Sequence, residues 1–186
     1  MVTLGSLWLP IVLSAVVVFF ASWLMHMVLP HHRSDWSQIS NEEGFRESVG
    51  KLKIPPGQYM TPHCGSPKGM SDPEFVKKME EGPVTMMVVW PSGPMRMGKH
   101  LVQSFVVNLV IAFMAAYVAS FTLQIGTHYM QVFRLVGTVT ILAYGGAQLW
   151  DPVWRGYSWS STLKGIFDGV VYGLLTAGVF GWLWPQ

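Results

Sequence analysis

Charged side chains are scarce in this 186-residue chain. They make up 12% of it, against roughly 25% in soluble domains. Neither sign dominates: Lys and Arg number 12, Asp and Glu 10, for a formal net charge of +2, so no basic face is available to hold a nucleic acid. Cysteine is nearly absent, and the single Cys64 excludes an internal disulfide pair. No nucleotide-binding loop, hydrolase elbow or zinc-protease signature occurs. The first apolar run lacks the basic flank and the small-x-small cleavage site of a signal peptide, so it reads as a retained span.

What the chain has instead is long apolar runs. Leu7–Leu29, Leu101–Leu123, Met130–Trp150 and Ser161–Trp184 each approach or exceed the roughly 20 residues needed to cross a hydrocarbon core. The expected fold is an all-α integral membrane protein with four transmembrane helices. It divides into 1–29 (tail and first span), 30–100 (an insert with two short helices) and 101–186 (the remaining three spans). The N-terminal tail, the turn 124–129 and the last two residues carry no Lys or Arg, whereas Arg33, Arg46, Arg96, Lys99, Arg155 and Lys164 lie at the other helix ends. The positive-inside rule makes that second side cytoplasmic, with both termini periplasmic. The tryptophans fall into two belts, Trp8, Trp182 and Trp184 outside and Trp36, Trp90, Trp150, Trp154 and Trp159 inside, as expected at the two bilayer interfaces.

The insert is nearly neutral. Ser40-x-x-Glu43 is a capping-box signature ahead of a helix that ends at "IPPG". Asp72 followed by Pro73 starts a second helix running to Gly82. "VTMMVVW", Val84–Trp90, is too short to span and reads as a strand or as a strip laid on the bilayer. So few apolar residues leave the insert without a sizeable core of its own.

"WLMHMVLPHHRSDW", Trp23–Trp36, sets histidines at the end of the first span. Helix-borne metal ligands stand at i and i+3 or i+4. His31 and His32 follow His26 by five and six residues, beyond Pro30, so that spacing puts no pair on one face. His63 and Cys64 are adjacent rather than spaced as a zinc clamp. A haem joining His26 to His100, or a copper site on Met95, Met97, His100 and Cys64, stays open as a minor alternative. The expectation is no cofactor, with "HHRSDW" an interfacial exit and turn.

Polar residues recur at one depth. Ser22, Asn108, Tyr144 and Asp168 each lie about seven residues, roughly 10 Å, from the cytoplasmic ends. Intramembrane acids face the bundle interior with a partner, and Lys164 and Asn108 are the candidates for Asp168. The layer reads as a lock between helices or as one half of a proton or ion route. Arg134, one turn inside the outer end, either snorkels or contacts a lipid or partner, as Trp36 and Trp90 can. In the last span Gly165, Gly169, Gly173, Ala177 and Gly181 recur every four residues. Such a stripe lets helix backbones approach closely, within the chain or against another protein.

The stretches "HHRSDW", "PPGQYMTPHCGSP", "PSGPMRMGKHLVQSF" and "STLKGIFDGVVYGLLTAGVFGWLWP" together resemble a group of small bacterial inner-membrane proteins. The resemblance implies a bacterial inner-membrane setting and no particular chemistry. Three functions follow as expectations. The first is a non-enzymatic accessory subunit of a larger respiratory or photosynthetic membrane complex, with lipid and other membrane subunits as partners. The second is a small transporter built on Asp168, and the third a haem- or copper-binding protein.

Overall fold

The computed structural model describes residues 2–186, which are mostly helical. Four of its helices are long and apolar enough to cross a membrane: Leu4–Val28, Met97–Thr122, Tyr129–Trp154 and Trp159–Trp182. The chain is a multi-pass membrane protein. It divides into two compact units, one formed by residues up to Ser37 together with Arg96–Gln186, the other by Gln38–Met95. The insert expected over 30–100 therefore begins later, because Pro30–Ser37 stays with the helical unit.

In the helical unit, Thr3 caps a 3-10 turn, Leu4–Leu7, which feeds α1, Trp8–Trp23. Pro10 sits in the first turn of α1, where its missing N–H costs nothing. α4 (Met97–Thr122), α5 (Tyr129–Tyr144), a short α6 (Trp150–Trp154) and α7 (Trp159–Trp182) complete the unit, while α2 (Glu42–Lys51) and α3 (Pro73–Glu81) belong to the second unit. α1 packs on α4, α4 on α5, α5 on α7, and α7 returns to α1. Hydroxyls inside the bundle are satisfied on their own helices, as a low-dielectric interior demands. The buried Ser14 donates to the Pro10 carbonyl at 2.7 Å, and Thr140 to that of Val136 at 2.7 Å.

The third span is not one continuous helix. α5 ends at Tyr144, a 3-10 turn occupies Gly146–Leu149, and α6 follows. The break falls where α7 comes closest. A Cβ added at Gly169 would lie 2.7 Å from the backbone nitrogen of Gly145, and one at Gly173 2.9 Å from that of Ile141. Gly165 faces Gln148, Ala177 meets Gly137, and Gly181 receives the Tyr129 ring. The small-residue stripe thus packs along the chain's own third span. The bundle's other end is an apolar core of Leu7, Ala115, Ala116, Ala119, Val136 and Phe180, all buried. There the Trp184 indole donates to the Gln124 carbonyl at 2.9 Å and the Gly126 N–H to that of Pro185 at 2.9 Å.

The second unit holds α2 (Glu42–Lys51), α3 (Pro73–Glu81) and an antiparallel pair, β1 (Gly57–Thr61) with β2 (Thr85–Val89), in which Met60 faces Met86. "VTMMVVW" is a strand along most of its length. Asn41, rather than Ser40, caps α2, accepting from the Gly44 N–H at 3.0 Å; asparagine next to the helix start outcompetes the more distant serine. Asp72 caps α3 by accepting from the Glu74 N–H at 2.8 Å, and Gly82 closes it with φ +62°. No residue of 38–95 is fully buried. The unit is held by caps, strand pairing and exposed ion pairs such as Lys78–Glu74 instead of a core.

Candidate functional site

α1 does not leave the bundle as a regular helix. Its last turn, Leu24–Val28, widens to a π-helix in which the Leu29 N–H reaches back to the Leu24 carbonyl at 3.0 Å. Such widened turns recur at functional sites. Leu29 is then extended, and Pro30 at the first position of a 3-10 turn, Pro30–His32, reverses the chain. A second turn is closed by the Asp35 N–H on the His32 carbonyl, 3.1 Å. The result is a strap, residues 30–37, that folds back against α7 and brings together histidines whose sequence spacing kept them apart.

Their focus is Asp168 on α7, whose side chain is only 3% exposed. His32 Nε2 stands 2.8 Å from its Oδ2 and His31 Nε2 3.1 Å from its Oδ1. His26 Nδ1 lies 3.8 Å from Oδ2 and 3.1 Å from the Ser22 carbonyl. The Tyr172 hydroxyl, one turn along α7, closes the ring at 3.5 Å from Oδ2 and also meets Ser22. The rings of His26 and His32 stack with centroids 4.4 Å apart and 12° between their planes, and His31 lies 4.1 Å from His32.

Behind His32 stands a second carboxylate. Its Nδ1 donates to Asp35 Oδ2 at 2.6 Å, while Asp35 Oδ1 accepts from Lys164 Nζ at 2.8 Å, and Lys164 also donates to the Ser34 hydroxyl at 2.8 Å. The Lys164 hydrogen bond, joined by that from His32, holds the Asp35 carboxyl well below the usual carboxylate range, at about 2. For His32, burial opposes protonation, yet the bonds to Asp35 and Asp168 outweigh it and raise the pKa. With a carboxylate on each nitrogen, the ring donates on both sides.

The signs of these two shifts define a window. Asp35 has a depressed pKa, so its grip on the strap is complete above its ordinary value of 3.8 and is lost as pH falls through about 2. His32 has a raised pKa, so its contribution is complete below 6.5 and is lost as pH rises through the raised value. The groups facing it are Asp35, Asp168, His26 and His31, with Lys164 behind Asp35. A spin label on Trp36→Cys in a Cys64→Ser background should be least mobile between those limits. Unchanged mobility from pH 2 to pH 9 would refute this account.

Several residues singled out in the sequence lie elsewhere. Lys164 serves Asp35 instead of the Asp168 one turn away. Asn108 is buried on α4, whereas α7 packs mainly on α5 and α1, and the Asn108 Nδ2 has no hydrogen bond among the described residues. Among the described residues, the partners of Asp168 are His26, His31, His32 and Tyr172 instead of Lys164 or Asn108. Tyr144 meets Tyr172 edge-on at 5.6 Å. Arg134 is on the exposed side of α5, and Trp36 is 86% exposed; Trp90 belongs to the second unit. His63 and Cys64 line an open depression of about 590 Å³ with Asp72, Glu74 and Phe75, where the thiol donates to the Ser66 carbonyl at 2.9 Å. Among the described residues, the one group of three or more potential ligands with metal-like proximity is His26, His32 and Asp168. His63, Cys64 and His100 are outside it.

Reading "HHRSDW" as a plain exit turn therefore misses the site. The available signals were Pro30 directly before the paired histidines, able to reverse the chain, and the buried Asp168 that needed a partner of opposite charge. Fold and site together define a polytopic helical membrane protein with one histidine–carboxylate centre at one end of its bundle. No family model matches the chain, and neither a curated protein nor a solved structure is significantly similar to it.

Proposed function

We propose that this chain is a non-enzymatic, multi-pass protein of the bacterial inner membrane that binds a cation at its cytoplasmic end and does not conduct it. One observation carries the reading: a nearly fully buried carboxylate, Asp168, is met by three imidazoles at one end of a bundle whose other end is an apolar core with no buried ionisable group among the described residues. A transport route needs polar groups on both sides of such a site, whereas a binding site needs one open face. His26, with half of its side chain exposed, supplies that face. The accessory-subunit role fits the same picture through exposed aromatics at the histidine end, Trp36, Trp150 and Trp154. The glycine stripe no longer supports it, since α5 covers it.

Side-specific labelling and flux test the proposal together. In a Cys64→Ser background, Trp36→Cys should react with a membrane-impermeant maleimide in inverted vesicles and not in spheroplasts, and Ile125→Cys should do the reverse. Proteoliposomes should hold an imposed pH gradient as well as protein-free vesicles do. Protein-dependent collapse of the gradient, abolished by Asp168→Asn, would overturn the reading in favour of a transporter. Labelling of Trp36→Cys from outside would overturn the assigned face.

A further inference from the structure

We infer that His26, His32 and Asp168 are the protein ligands of a divalent transition-metal ion of borderline hardness, of the zinc or ferrous class. The inference rests on the one-sided binding reading above and names its cation.

Ligand atoms around a tetrahedral ion with bonds near 2.0–2.1 Å stand about 3.3 Å apart. Asp168 Oδ2 lies 2.8 Å from His32 Nε2 and 3.8 Å from His26 Nδ1, a pair of distances that brackets this value. The three atoms all fall within 4.8 Å of one another. Binding releases the proton held between His32 Nε2 and Asp168 Oδ2 to solvent, and the half-exposed His26 ring turns out of the stack and away from the Ser22 carbonyl, its single proton moving to Nε2, so that Nδ1 faces the ion.

The surroundings are those of a ligand set and not only of an ion-pair lock. A metal-bound imidazole almost always donates its second ring N–H to a carboxylate or carbonyl, which fixes tautomer and orientation. His32 has that arrangement: Nδ1 donates to Asp35, and Asp35 is itself fixed by Lys164. His31 holds Asp168 Oδ1, leaving Oδ2 as the single coordinating oxygen. His31, Asp35 and Lys164 are positioning residues.

The donor set contains two ring nitrogens, one carboxylate oxygen and no sulfur. It suits borderline divalent ions and disfavours copper(I), which prefers thiolate and thioether. Three protein ligands leave a coordination position for water or an outside ligand, the pattern of open metal centres. The stacked His26 and His32 rings leave no gap for a porphyrin between them.

The test is cobalt(II) titration of the purified full-length protein in mild detergent, followed by zinc competition. One equivalent per chain is expected, with a visible d–d band of low-symmetry cobalt and no thiolate charge-transfer band. His26→Gln, at a half-exposed position that tolerates change, and His32→Gln should each lower affinity by at least about 100-fold. Asp35→Asn should lower it by about 10- to 100-fold and shift the d–d band, with the band restored by Asp35→Glu. A merely structural role would not move that spectrum. His63→Ala should bind as the unaltered protein does.

Absence of stoichiometric binding would overturn the inference, as would binding that survives both His26→Gln and His32→Gln. If labelling and flux behave as stated above while no metal binds, the metal assignment fails and the one-sided site stands. If metal binds and a gradient collapses, the one-sided reading fails instead.

Discussion

Asp168→Asn is expected to release the strap from the bundle. The carboxylate accepts from His31 and His32 through separate oxygens, at 3.1 and 2.8 Å. The amide keeps one acceptor and turns an N–H₂ toward the other imidazole. Charge-assisted hydrogen bonds contribute about 1.5–3 kcal/mol each, so the loss of one and the weakening of the other amounts to roughly 3 kcal/mol. That is about a 100-fold shift in local opening. Amide hydrogen exchange over residues 31–36 should accelerate by that factor, while exchange in α4 stays unchanged. Lys164→Met should give a smaller acceleration, since it removes one support of Asp35 and leaves Asp168 intact. Equal protection in Asp168→Asn and the unaltered protein would show that the histidines do not hold the strap.

The second large effect concerns the α5–α7 contact. Gly169→Leu places a branched side chain where even a Cβ would approach the Gly145 backbone nitrogen to 2.7 Å. Backbone cannot yield as a flexible side-chain tip can, so the helices must separate along their length. Overpacking costs about 1–3 kcal/mol in cores able to adjust, and a backbone collision belongs at or above the top of that range. The variant should lose most of its folded fraction in detergent at temperatures the unaltered protein withstands, measured by aggregation on heating. Gly178→Ala is the control on the same helix. Its nearest neighbour is the Tyr129 hydroxyl at 3.9 Å, so the variant should melt within a few degrees of the parent. Similar melting of both variants would mean that the stripe is not the packing surface.

The spans and the stripe were legible in the sequence because both depend on periodicity alone. Twenty apolar residues cross a bilayer whatever surrounds them, and a four-residue spacing lines up on any helix. Asp72 before Pro73 marked α3 for the same local reason. The site was legible only in part. Asp168, Ser22 and Tyr144 stood out by depth and Lys164 as a candidate partner, but their pairing depended on a chain reversal that periodicity cannot express. Counting five and six residues from His26 to His31 and His32 assumes a regular helix. A π-turn followed by Pro30 breaks that assumption and carries both rings under His26. Equal depth likewise suggests Asn108 as a neighbour of Asp168, whereas the order of helices around the bundle decides that, and no local pattern encodes it.

The strap also sets how much free chain joins the two units. On one side Arg96, the last residue before α4, directly follows Met95 of the insert, so that junction has no slack. On the other, the eight residues Pro30–Ser37 lie between α1 and the insert, and His31, His32 and Asp35 tether them to Asp168 and Lys164. Freed, those eight residues would extend by at most about 26 Å at some 3.3 Å each. The contacts at Asp168 and Lys164 therefore decide whether those eight residues are held or slack. One buried carboxylate thereby sets the slack in one of the two connections between α1, α4 and residues 38–95.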